Sequence, residues 1–283
     1  LKNRLLVTGA RGFTGKHLVY FADEEGFEIL SSQVDILDYE DLRREVLKLN
    51  PDFVIHLAAI SSSISKNQKL VFETNLIGSL NLLMALNDLP KKPKKILMVS
   101  SAQVYGDTTD EFFSETDQVN PLNHYGASKL SMEIMTKQFY KDLPIIIARP
   151  FNYTGIGHDL NFVIPKIISC FKQRKPIIEL GNLDTEREYN DVRSVCKAYL
   201  KLLISSEESE IFNVCSGEVY SIRTIISKLE SMSNHQIKVI QNPDFIRPNE
   251  LKKLCGNPQK LNRIVGDLSR YTLSDTLEWM LKN

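Results

Sequence analysis

The segment Thr8-Gly-Ala-Arg-Gly-Phe-Thr-Gly15 constrains the fold of this chain more than any other stretch. It follows the short apolar run Arg4–Thr8 directly and opens a helical stretch that Gly26 closes. Glycines at 9, 12 and 15 permit a tight turn, a close approach of backbone to a pyrophosphate, and close packing of the helix behind it. The helix N-terminus adds unpaired N–H donors and a partial positive charge. A P-loop needs G-x-x-x-x-G-K-[ST]. Here Gly9 to Gly15 is one residue too long and Lys16 is followed by His17, which excludes it.

Further short β-rich runs stand at Phe27–Ser31, Phe53–Leu57, Lys95–Ser100 and Pro144–Ala148. Helical stretches separate them near 67–88 and 124–141, and Asp38 reads as the N-cap of a helix carrying Leu42, Val46 and Leu47. Strands alternating with amphipathic helices predict an α/β fold, a doubly wound parallel sheet with helices on both faces. After Pro150 the rhythm breaks at Asn152–Gly155, Gly181–Asp184 and Asn242-Pro243. The expected division is a cofactor-binding domain over 1–152 and a smaller, mixed substrate lobe over 153–283. A strand near 211–215 is expected to return to the sheet.

Composition narrows the function classes. Lys+Arg 35 against Asp+Glu 35 leaves no global field for nucleic acid or membrane. The four cysteines are scattered and form no C-x-x-C pair, as expected of reduced thiols in a cytoplasmic protein, and the five histidines show no ligand spacing with them, so no metal is expected. No segment reads as a signal peptide, and none is expected to approach the ~18 apolar residues of a membrane span.

Tyr125-Gly-Ala-Ser-Lys129 places a phenol and an ammonium one turn apart on one helix face. A neighbouring ammonium favours the phenolate, so Lys129 is expected to bring Tyr125 down from its free value of about 10 toward neutrality. Such a phenol exchanges a proton with a carbonyl or alcohol oxygen.

Taken together, the G-x-x-G-x-x-G turn, Asp35-Ile36, His56-Leu-Ala-Ala59, Asn75, Ser100-Ser101 and Tyr125/Lys129 resemble the extended short-chain dehydrogenase/reductase family over nearly the whole chain. The resemblance implies a Rossmann-type sheet, a nicotinamide cofactor and a catalytic Ser101, Tyr125 and Lys129. It further implies cofactor contacts from Gly9, Arg11, Gly12, Phe13, Gly15, Ser32, Asp35, Ile36, Leu57, Ala58, Ala59 and Asn75, with Tyr125 and Lys129 completing the set. The second strand ends in Leu30-Ser-Ser-Gln33 without the acid that usually holds ribose hydroxyls, and Arg11 sits in the glycine turn. Both features favour NADP(H), with NAD(H) possible.

Members of this family include reductases, epimerases and dehydratases. Dehydratases carry an acidic group just past the catalytic serine or threonine, where this chain has Ala102 and Gln103. The order of motifs in the second half is most similar to reductases of GDP-linked 4-keto-6-deoxysugars. That similarity implies a nucleotide-diphosphate sugar met by Ser101, Gln103, Asn152, Arg187, Arg247 and Glu250, in the synthesis of cell-surface polysaccharide (lipopolysaccharide) precursors. A 4-epimerase with tightly bound NAD, and a reductase of a dTDP- or CDP-linked sugar, are the alternatives. The family also implies a homodimer formed through the two long helices.

Overall fold

A computed structural model of the chain describes residues 2–61, 67–106, 112–246, 251–267 and 271–283. Its centre is a six-stranded, all-parallel sheet. In chain order the first half runs β1 (Arg4–Thr8), α1 (Phe13–Glu24), β2 (Glu28–Leu30), α2 (Tyr39–Leu49), β3 (Phe53–His56), α3 (Gln68–Asn87), β4 (Lys95–Val99), α4 (His124–Thr136) and β5 (Ile145–Pro150). Every residue of β3, β4 and β5 is buried, as expected when helices cover both faces of a parallel sheet.

The second half supplies β6 (Tyr153–Thr154), α5 (Val163–Lys172), β7 (Ile177–Leu180), β8 (Glu186–Arg187), β9 (Asn190–Asp191) and α6 (Val192–Ile204). It continues through β10 (Glu210–Val214), β11 (Tyr220–Ser221), α7 (Ile222–Ser233), β12 (Lys238–Gln241), β13 (Lys253–Leu254), α8 (Gln259–Val265) and α9 (Leu273–Lys282). The spatial order is β10-β5-β4-β3-β1-β2, so the strand expected near 211–215 does return, parallel to β5. The order reverses between β1 and β3, and the crevice beyond the carboxyl ends of those strands is where such sheets bind ligands.

One hydrophobic core, with Leu5, Val7, Leu18, Val195, Tyr199 and Phe212, lies between the sheet and α1, α6 and α8. The other, with Leu42, Leu82, Leu86, Met98, Met132 and Ile147, lies under α2, α3 and α4. A third, with Ile167, Phe171, Ile225 and Leu277, holds α5, α7 and α9 together in the lobe. Each fully buried Leu or Ile contributes roughly 1.5–3 kcal/mol by leaving water, so these clusters fix the layers.

Local signals set the helix ends. Asp38 accepts from the Asp41 amide at 3.1 Å and caps α2, whose chain leaves through left-handed Asn50. Asn123 caps α4 by accepting from the Gly126 amide at 2.9 Å. The second long helix ends earlier than its sequence pattern suggests, tightening into a 3₁₀ turn at Lys137–Phe139.

α3 corrects another expectation. It runs for 20 residues, and an 18-residue window within it has a mean hydropathy of 1.2, long and apolar enough, by length and composition alone, to cross a membrane. Half of that apolar window is buried in the protein, packed against α2 and α4, as in a core helix. A π turn at Glu73–Ile77 interrupts its regular hydrogen bonding and brings Asn75 inward.

Candidate active site

At the carboxyl end of β1 the chain turns so tightly that a Cβ on Gly9 would lie 2.8 Å from the Ala58 amide nitrogen. One on Gly15 would lie 2.3 Å from the Gly9 carbonyl oxygen. Gly9 also has φ +71°, a conformation side chains rarely adopt. Gly12 leads into α1 without any side-chain cap, so the first N–H groups of that helix keep no partner within it. They face a groove of about 420 Å³ lined by Arg11, Ser31, Ser32 and Gln33. Among the described residues nothing pairs with the Arg11 guanidinium. Backbone donors, a free cation and no carboxylate at the end of β2 fit a phosphorylated dinucleotide, and fit NADP(H) better than NAD(H).

Several expected cofactor residues also have partners within the protein. Phe13 stacks on His158 with ring centroids 4.3 Å apart, so its side chain ties α1 to the chain that follows β6. The exposed Asp35 accepts from the Leu37 amide at 2.9 Å. Ile36 packs against Gly78 of α3. Ser32 accepts from the Val34 amide at 3.1 Å at the groove wall. Leu57, Ala58 and Ala59 form the turn that faces Gly9. Asn75 is fully buried; its oxygen accepts from Ile60 N–H at 2.8 Å, and its amide donates to the Ile60 carbonyl at 3.1 Å and to Ser128 Oγ at 2.9 Å. Its amide is therefore spent on holding the post-β3 loop against α4, which leaves no donor for a direct contact with a cofactor.

That bond belongs to a longer chain. Ser79 donates to the Asn75 carbonyl at 2.7 Å, which makes Ser79 Oγ the acceptor of His56 Nε2–H at 2.9 Å. His56 Nδ1 then accepts from the Thr8 hydroxyl at 2.7 Å. This assignment requires a neutral ring, and burial, with the Lys129 charge nearby, holds His56 down at about 3. Ser128 completes the path by donating to the Tyr125 carbonyl at 2.8 Å. The strand before the glycine turn and the helix carrying Tyr125 are thus joined through buried, paired polar groups.

Ser101 ends the stretch after β4, and Tyr125 and Lys129 lie one turn apart on α4. Ser101 follows β4, is 8% exposed, and accepts from the Gln103 amide at 3.2 Å. Its own proton is free to donate, and its hydroxyl stands near enough to the Tyr125 phenol to lower that group's pKa. Lys129 is 3% exposed and donates to the Val99 carbonyl at 2.8 Å. The direction of the Tyr125 shift differs from expectation. Burial pushes the phenol up to about 12, opposed by the Ser101 hydroxyl, while Lys129 itself is lowered by burial to about 8, with Glu133 acting in the opposite direction. At neutral pH the site therefore presents two O–H donors side by side, matched to a carbonyl oxygen that gains negative charge.

On the substrate side, Asn123 Nδ2 donates to Gln103 Oε1 at 2.9 Å. Because Asn123 Oδ1 already accepts at the helix cap, the Gln103 amide is turned with its NH₂ directed elsewhere. Asn152 lies two residues past β5 and accepts from the Asn190 amide through its carbonyl at 2.9 Å. Arg187 donates to the carbonyls of Glu186, Leu251 and Lys252, bracing the segment after residue 250. Arg247 and Glu250 lie outside the described residues.

Sequence reasoning missed five residues: His56 as a buried link, Asn123 beside Gln103, the Glu133–Arg149 pair, and Glu188. Glu188 is buried and accepts from the Gly256 amide at 2.7 Å and from the Ser216 amide at 2.8 Å. A carboxylate four residues past Lys129, on its helix face, was the one readable signal among them.

Residues 25–280 match the GDP-mannose 4,6-dehydratase family. The chain is 35% identical to GDP-6-deoxy-D-talose 4-dehydrogenase of Aggregatibacter actinomycetemcomitans, over 99% of this chain and 97% of that protein. It is 31% identical to GDP-6-deoxy-D-mannose reductase (RMD) of Pseudomonas aeruginosa over 100% and 97% of the two chains. The structure of that organism's RMD with NADPH superposes with a TM-score of 0.90, covering 99% and 97%. A protein provisionally described as an epimerase, from Burkholderia cenocepacia J2315, superposes at 0.94 with 37% identity, covering 99% and 97%.

Proposed function

The chain belongs to the GDP-mannose 4,6-dehydratase family of extended short-chain dehydrogenases/reductases, NAD(P)-dependent enzymes, and we propose that it reduces the C4 ketone of a nucleotide-linked 4-keto-6-deoxysugar with NADPH. The observation that carries this reading is the neighbouring Ser101 and Tyr125 hydroxyls, with Lys129 one helical turn on and anchored on Val99, and no carboxylate at positions 102 and 103. Bound NADPH supplies the hydride. Ser101 donates to the ketone oxygen and orients it, and Tyr125 delivers a proton to that oxygen as it becomes an alcohol. Lys129, anchored on Val99, holds a positive charge beside the phenol and stabilises it once the proton has left.

Within a family named for dehydration, Gln103 favours reduction. Removing water requires a group that takes a proton from carbon, and an amide does not ionise. A GDP-linked substrate fits the relatives best, with Gln103 and Asn152 facing the sugar and Arg187, Arg247 and Glu250 serving the nucleotide end. The wider role is supply of deoxysugar precursors for cell-surface polysaccharide, in the cytoplasm. Leu70, Ile77 and Met84 on α3 and Ile134 on α4 stay exposed, which supports a homodimer through these helices.

The 4-epimerase reading draws on the Burkholderia structure and predicts bound NAD with no need for added reductant. Denaturing the purified protein and identifying the released nucleotide separates the two. Stoichiometric NAD, with sugar interconversion in the absence of NADPH, would overturn the reductase reading.

A further inference from the structure

Next to the reacting groups lies a buried ionic cluster that the proposed chemistry leaves unused. Glu133 stands one helical turn beyond Lys129 and two beyond Tyr125 on α4. Its carboxylate accepts from Arg149 Nε at 2.9 Å and from Arg149 Nη2 at 2.6 Å. The Ser100 hydroxyl donates to the same carboxylate at 2.5 Å. Both charged side chains are buried, at 1% and 3% exposure.

Each partner adjoins a functional position. Ser100 precedes Ser101. Arg149 lies three residues before Asn152, and its guanidinium sits over the Tyr105 ring at 4.8 Å. One carboxylate therefore joins the ends of β4 and β5 to the helix that carries Tyr125 and Lys129. A buried ion pair is seldom more stabilising than apolar side chains of the same volume, so stability alone does not account for it.

We propose that Glu133 is a positioning residue, held by Arg149 and Ser100, whose carboxylate keeps the Lys129 ammonium charged and keeps Ser101 in register with Tyr125. This rests on the reductase reading above for its chemistry, but not for its electrostatics. The groups acting on Lys129 are the Val99 carbonyl from β4, neutral His56 from β3 and Glu133 from its own helix, with Tyr125 one turn before it on that helix. Arg149 of β5 stands beyond the carboxylate. Glu133 is the only anion acting on the ammonium among the described residues, and it opposes the burial that lowers Lys129 to about 8.

The test is an NMR titration of ¹³Cε-lysine-labelled protein, with the Lys129 resonance identified by its absence from Lys129→Arg. In Glu133→Gln the Lys129 midpoint is expected to fall by about one to two pH units, while Glu133→Asp keeps it within a few tenths. The double variant Glu133→Gln/Arg149→Met removes the pair as a unit and should show a smaller fall in the same direction. It decides the matter if the single variant does not fold. NADPH affinity of Glu133→Gln, followed by fluorescence, should drop more at pH 8 than at pH 6. An unchanged Lys129 midpoint in a folded variant overturns the proposal. If the natural protein reduces no 4-keto sugar, the proposed function falls, and the titration still decides the role of Glu133.

Discussion

Replacing Arg11 with alanine tests the cofactor end at a single atom group. The guanidinium lines the groove with Ser31, Ser32 and Gln33, and none of those side chains is a carboxylate that would claim it. The extra phosphate of NADPH is the one feature that distinguishes it from NADH. A charge-assisted hydrogen bond to phosphate contributes about 1.5–3 kcal/mol, which is roughly a 10- to 150-fold change in dissociation constant. Arg11 is exposed, so the lower half of that range is expected at physiological salt, with a larger effect at low salt. Fluorescence titration of the natural protein and Arg11→Ala with both nucleotides reads this directly. NADPH binding should weaken at least tenfold, and NADH binding should change by less than threefold. Equal losses for the two nucleotides would refute the reasoning, because they would mean that Arg11 supports the turn and does not meet the phosphate.

Three other outcomes follow from the same geometry. Tyr125→Phe removes the proton donor while leaving Lys129 on Val99, so turnover should fall at least a thousandfold with NADPH affinity nearly unchanged. Asn75→Leu strands the Ile60 amide and carbonyl and costs about 2–4 kcal/mol; thermal melts should show a loss of roughly 5–12 °C. His56 and His158 are held at about 3 and about 4 by burial, against 6.5 when unfolded. The unfolded chain therefore takes up protons first, and stability is full above about pH 7 and lost as pH falls through 6.5. At pH 5 each ring costs about 2 kcal/mol. Glu188, pushed up by burial, opposes part of this, so the check is a shallower pH dependence of the urea midpoint in His56→Gln.

The parts of the site written in local spacing were legible in the chain itself. The glycine turn, the strand–helix alternation and the Tyr125–Lys129 pair depend on neighbours within a few residues, and the fold carries each as expected. Partnerships across the fold were not legible. Thr8 with His56, Asn75 with Ser128, and Glu133 with Arg149 are separated by 48, 53 and 16 residues. No periodicity encodes them. The direction of the Tyr125 shift was misjudged for the same reason, since an ammonium one turn away is visible in the sequence and the depth of burial is not. The apolar length of α3 was underestimated because Lys69 and Glu73 interrupt its early turns. The bracing of the backbone at 251–252 by Arg187, across more than 60 residues, was equally hidden from the sequence.

The central claim is ketone reduction, and one measurement addresses it most directly. The purified protein is incubated with NADPH and a panel of GDP-, dTDP-, CDP- and UDP-linked 4-keto-6-deoxysugars, with absorbance at 340 nm and NMR of the sugar followed together. The account predicts stoichiometric NADPH oxidation with a new C4 carbinol proton, fastest for a GDP-linked ketone. NADPH left intact across the panel, with a 4-hydroxy sugar epimerised or dehydrated in its absence, would contradict it.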